Sequence, residues 1–112
     1  MKFNTRQNGD VTILDLSGRI TIGSGEEALR NATQEILNNG AKKVVIHMGG
    51  VTMIDSSGIG ELVSAYTTAT NRGAKLKLAN LPAKVSDILT ITQLITVFDV
   101  FDTEAEAVQS FA

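Results

Sequence analysis

The chain has 112 residues, 43% of them hydrophobic and 20% charged, with a formal net charge of −2; this is the size and balance of one globular domain with its own core, and not of a disordered chain. With no cysteine and a single histidine, His47, disulfides, thiolate metal sites, a cysteine nucleophile and a Ser-His-Asp triad all lack their parts. There is no basic stripe for direct nucleic-acid binding, no apolar run of membrane-spanning length, and no signal-peptide core in Met1-Lys2-Phe3-Asn4-Thr5-Arg6. A cytoplasmic protein without membrane contact is the expectation.

Asn8-Gly9-Asp10 is a turn signal between Lys2–Arg6 and Val11–Leu16, and predicts a hairpin whose second strand ends at Ser17-Gly18. Gly23-Ser24-Gly25 breaks the chain, and Ser24 with Glu27 has the spacing of a capping box. Leu29, Ala32, Ile36 and Leu37 then recur at helical spacing until Gly40, a suitable stop. Lys43–Met48 is an apolar, β-branched run suited to a central strand buried on both faces, with Gly49-Gly50 as its end. His47 within it reads as a structural histidine rather than a ligand.

A second helix follows from Ile59, Leu62, Val63, Tyr66 and Ala69, closing at Arg72-Gly73. Tyr66 falls on its apolar face, while Glu61 and Ser64 fall off it. Lys75–Ala79 alternates like a strand. Pro82 suits the first turn of a helix carrying Val85, Ile88 and Leu89. Val97–Phe101 is the last strand, and Thr103 with Glu106 opens a short final helix. The order β-β-α-β-α-β-α-β-α predicts a single α/β domain over residues 1–112, a mixed sheet packed with about four helices.

The distinctive stretch is Val51-Thr52-Met53-Ile54-Asp55-Ser56-Ser57-Gly58-Ile59-Gly60, between the central strand and the second helix. Asp55 is a good N-cap, which makes Ser56 the first helical residue and Ile54 with Ile59 a hydrophobic staple. Met53 and Ile54 either lie partly exposed beside the loop as an apolar contact for a partner or pack into the core. Gly58 and Gly60 in the first turns each cost about 1 kcal/mol relative to alanine. Either close packing against the sheet or the approach of a partner offsets that cost. A phosphate on Ser56 would be tolerated by the free N–H groups and dipole at a helix start, yet would add a bulky dianion beside Asp55. From spacing alone, the plain reading is a helix cap.

The Asp55-Ser56-Ser57-Gly58-Ile59-Gly60 run resembles the signature loop of the STAS-domain anti-sigma-factor antagonists. Leu16-Ser17-Gly18-Arg19-Ile20, the apolar strand before the loop, and Leu78-Ala79-Asn80 followed by Pro82 and a helix extend the resemblance over nearly the whole chain. It implies a mixed sheet packed with helices and a protein that binds a partner rather than catalysing. It implies that Ser56, rather than Ser57, is phosphorylated by a cognate anti-sigma factor that is also a serine kinase. Unphosphorylated protein would bind that factor through Asp55, Ser56, Ser57, Gly58 and Ile59 and free the sigma factor; a separate phosphatase would reset the switch. The free protein would be a monomer without a cofactor. In one respect the chain departs from the family: an acidic residue common soon after the glycine of the second strand is absent, and Gly18-Arg19-Ile20 is followed by Thr21.

Other classes fit less well. A serine enzyme would want a Gly-x-Ser-x-Gly elbow and a base near the serine, and neither is present. A nucleotide module would want a Gly-x-x-x-x-Gly-Lys-Ser/Thr loop, also missing. A STAS subunit of another assembly, in stress sensing or lipid transport, would share the fold and differ in its partner.

Overall fold

The computed structural model describes residues 1–112. Strands β1 (Lys2–Asn8) and β2 (Val11–Ile20) form the hairpin, followed by α1 (Ser24–Asn38), β3 (Lys43–Ile54) and α2 (Ser56–Asn71). Next come β4 (Lys75–Ala79), α3 (Ala83–Ile91), a single 3-10 turn at Leu94–Thr96, β5 (Asp99–Phe101) and α4 (Glu104–Gln109). The five strands lie in sequence order, β1 antiparallel to β2 and every other neighbour parallel. The sheet is therefore mixed, as the order of elements predicts.

Alternation along the strands divides the core in two. Leu14, Leu16, Val44, Ile46, Leu76 and Leu78 meet Leu29, Ala32, Leu62, Ala65, Val85 and Leu89 of α1, α2 and α3 on one face. Val11, Ile13, Val45 and Ala79 point to the other face, where Ala107 of α4 covers them. Val44, Val45 and Ile46 are all fully buried, so β3 is the doubly covered central strand. Tyr66 packs edge-on against Phe98, ring centroids 5.4 Å apart.

Several boundaries differ from those expected, each for a local reason. Gly49-Gly50 does not end β3. A Cβ on Gly50 would lie 2.7 Å from the Ser17 Cβ and 2.9 Å from the Leu16 carbonyl oxygen. Gly50 lets β3 run close beside β2 while the register shifts between Asp15 and Ser17 and again between Gly18 and Arg19, and Gly49 instead makes room for the His47 ring. Both strands thus continue past the positions where glycine had suggested a stop.

At the start of α1, Gly23 and not Ser24 is the N-cap. Its φ of 94° and ψ of −123° are glycine geometry, and no side chain caps the helix. Pro82 is likewise the N-cap of α3 rather than a first-turn residue, and β5 is shorter because Leu94–Thr96 turns ahead of it. Thr103 does cap α4, its Oγ1 accepting from the Glu106 N–H at 3.2 Å, but the return bond of the box goes from the Thr103 hydroxyl, not its N–H, to the Glu106 carboxylate. Lys77, expected on the wet side of an alternating strand, is only 7% exposed beneath α4. Its ammonium donates to the Ser110 Oγ at 2.6 Å and lies 4.2 Å from the centre of the Phe111 ring.

Candidate functional site

The carboxyl ends of β2 and β3 carry the first turns of α1 and α2, the end of an open parallel sheet where ligands and partners gather. Two glycines fix this junction. A Cβ on Gly25 would stand 2.4 Å from the Arg19 carbonyl oxygen, and one on Gly58 would stand 2.1 Å from the Ile20 carbonyl oxygen. Each helix therefore starts against one of two consecutive carbonyls of the same strand. Gly58 is accounted for by close packing. Gly60 has nothing within 4 Å of its missing Cβ and is exposed.

Asp55 ties the junction together. Its Oδ1 accepts from the Gly58 N–H at 3.0 Å and its Oδ2 from the Ile22 N–H at 2.9 Å. Its own N–H donates to the Ile20 carbonyl at 3.3 Å. The Gly58 N–H first, and the Ile22 N–H second, hold the Asp55 carboxyl below the usual carboxylate range, so it is charged at neutral pH. One side chain thus caps α2 and pins the β2–α1 loop.

The five residues picked out from the sequence meet here in unequal roles. Ser56 is the first residue of α2 and is exposed; Ser57 is half-buried. Gly58 and Ile59 face inward, Ile59 being 8% exposed in the same core cluster as Ile54. Of the two readings for Ile54, core packing holds: it is 6% exposed, as a staple residue should be. Met53, on the opposite side of the strand, is 45% exposed.

Glu61 is drawn to Arg30 of α1, whose Nε lies 3.3 Å from both its carboxylate oxygens, while Ser64 is exposed. Ile22 is 76% exposed in the β2–α1 loop. It escaped the sequence reading; the only signal was an isolated large apolar residue inside the polar run Thr21–Gly25.

On the face under α4, Asp15, His47 and Glu104 bring their ligand atoms within 4.8 Å of one another. A cation already serves them. Arg6 binds Asp15 through Nε at 2.6 Å and Nη2 at 2.9 Å, and also grips the Glu104 carboxylate. Arg6 hydrogen bonding is the main cause that holds both carboxyls below their ordinary range. His47 Nδ1 accepts from the Gly49 N–H at 3.2 Å, which leaves its proton on Nε2 in the neutral ring. Arg6 and the two carboxylates form an ion-pair network that ties α4 to β1 and β2, with the His47 ring beside it.

The chain is 27% identical over 100 residues to a Thermotoga neapolitana protein described as a candidate anti-sigma factor antagonist, covering 89% of this chain and 88% of that one. The crystal structure of a similarly described Thermotoga maritima protein superposes with a TM-score of 0.88 at 26% identity, over 96% of this chain and 92% of that one. The phosphorylated form of the Bacillus cell fate determinant SpoIIAA shares the fold at 17% identity, with a TM-score of 0.74 over 99% and 100% of the two chains. The STAS domain family matches residues 2–107, and with the sheet order and the helix-start loop in place, this chain belongs to the STAS domain family.

Proposed function

We propose that this protein is an anti-sigma factor antagonist that works by partner switching. Unphosphorylated, it binds a cognate anti-sigma factor with serine kinase activity and so frees a sigma factor. Phosphorylation of Ser56 ends the binding, and a phosphatase restores it. The protein acts in the cytoplasm, as a monomer when free.

The observation that carries this reading is the placement of Ser56. It is exposed at the first position of a helix whose cap is made by a different residue, Asp55. A phosphate there sits at the positive end of the α2 dipole and disturbs no existing cap bond, so the fold survives the modification. A docked partner meets instead a bulky dianion next to the already ionised Asp55. Asp55, Ser56 and Ser57 form the outward part of the docking surface, and Gly58 and Ile59 set its position against the sheet. The Thermotoga relatives described as candidate anti-sigma factor antagonists support the partner-binding part of this reading.

The test is incubation with ATP, magnesium and each serine-kinase anti-sigma factor of the same genome, read by intact mass and site mapping. One phosphate on Ser56, absent from Ser56→Ala, is the expected result. Binding without modification would discard control by phosphate. Neither binding nor modification would move the protein to a STAS subunit of another assembly.

A further inference from the structure

We infer that Ile22 and Met53, with Arg19 beside Met53, determine which partner this surface accepts, and that they fit an apolar depression bordered by a carboxylate. The inference rests on the partner-switch reading above and adds the chemistry of the partner's surface. Five large apolar side chains are exposed: Phe3, Ile22, Met53, Ile91 and Val97. Of these, Ile22 and Met53 belong to the two segments that lead into the α1 and α2 starts, Ile22 bonded to Asp55 through its N–H and Met53 two residues before Asp55 in the chain.

Their presentation is ordered. The Ile22 backbone is held by its N–H bond to the Asp55 carboxylate at 2.9 Å, so its 76%-exposed side chain stands on a fixed base. A partner that covers it loses little backbone freedom in doing so. Met53 lies in β3 and pairs in register with Arg19 of β2. The Arg19 Nη2 donates to the Met53 Sδ at 3.3 Å. A thioether is a shape-adaptable anchor, and a guanidinium beside it offers a planar fork. Arg19, like most of the chain's lysines and arginines, has no carboxylate in ion-pair contact, so its charge is free to meet one on a partner. Thr21, its neighbour in the loop, is uncharged.

The surface thus presents two apolar anchors and one cation without a counter-charge. Such a set is complementary to a partner pocket lined by apolar side chains with an Asp or Glu at its edge.

The probe is the purified serine-kinase anti-sigma factor that the phosphorylation experiment identifies. Its affinity for unphosphorylated wild type, Ile22→Ser, Met53→Ser, the double variant and Arg19→Glu is measured by calorimetry at two salt concentrations. Each apolar substitution weakens binding about tenfold and the pair about a hundredfold. Arg19→Glu weakens it further at low salt than at high salt. In the kinase reaction the double variant raises KM while kcat at saturation holds, because Ser56 and its helix are untouched.

Wild type that binds, with a double variant within twofold of it, overturns the inference and leaves partner switching standing. Arg19→Glu binding like wild type overturns the carboxylate. Concentration-dependent self-association of wild type, abolished in the double variant, would give the patch to a second copy and overturn it too. Wild type that binds no anti-sigma factor brings down the underlying reading, and the inference with it.

Discussion

Replacing Gly58 by alanine would place a methyl carbon 2.1 Å from the Ile20 carbonyl oxygen and 2.7 Å from the Ile54 Cγ1. Carbon and carbonyl oxygen rest at about 3.3 Å, so the start of α2 must retreat from β2 by about 1 Å or the strand must bend. The obstacle is backbone, which has no rotamer to give. Alanine gains about 1 kcal/mol in helix propensity over glycine, and forcing a methyl into a filled site costs about 1–3 kcal/mol or more. With so close a clash the cost prevails, and the net loss is about 2 kcal/mol. Against a urea slope of about 1.5 kcal/mol per molar, the unfolding midpoint falls by more than about 1 M.

Gly60, two residues on in the same helix, is the control. Nothing lies within 4 Å of its missing Cβ. Alanine there keeps the propensity gain without the clash, and the midpoint rises by about 0.5 M. Urea unfolding followed by circular dichroism reads both. A Gly58→Ala protein as stable as wild type, or two variants that shift the same way, would refute the idea that Gly58 seats α2 on β2.

Phosphorylation of Ser56 should leave the thermal midpoint within about 3 °C of the unmodified protein, as calorimetry on the two forms will read. Asp55→Asn should lower stability at neutral pH. Because the folded Asp55 titrates below its ordinary value near about 4, its contribution is present above that value and lost as pH falls through the folded pKa, so the gap from wild type closes in acid. Arg6→Gln should speed amide exchange in α4 at neutral pH by releasing Glu104 and Asp15, with no such effect once acid has protonated both carboxylates. Lys77→Met should change urea stability by less than about 1 kcal/mol, since losing the contact with Phe111 is offset by no longer burying an ammonium.

Much of the β3–α2 junction was legible because its causes are local. Asp55 as N-cap, Ser56 as first helical residue and the Ile54–Ile59 staple all follow from a few consecutive side chains, and all are present. Glycine was where reading by sequence failed. Gly49-Gly50 signals a stop in one dimension, yet in three Gly50 is the gap that lets β3 pass Ser17 and Leu16, and Gly49 the one that admits the His47 ring. Ser24 had the spacing of a cap, but Gly23 alone can take the backbone angles needed there. Lys77 looked solvated because what buries it, Ser110 and Phe111, lies at the far end of the chain. The ion-pair network around Arg6 is equally long-range, joining β1, β2 and α4.

Seating Gly25 and Gly58 on adjacent carbonyls of β2 fixes the helix starts by backbone contacts that admit no side chain, while Ile22 and Met53 beside them are exposed. Under the proposed partner-switch reading, the place of the phosphoacceptor would be written in the backbone and the choice of partner in these side chains. Duplicated copies of such a gene would then keep one modification chemistry while drifting apart in the partners they bind, by exchange of one or two exposed residues.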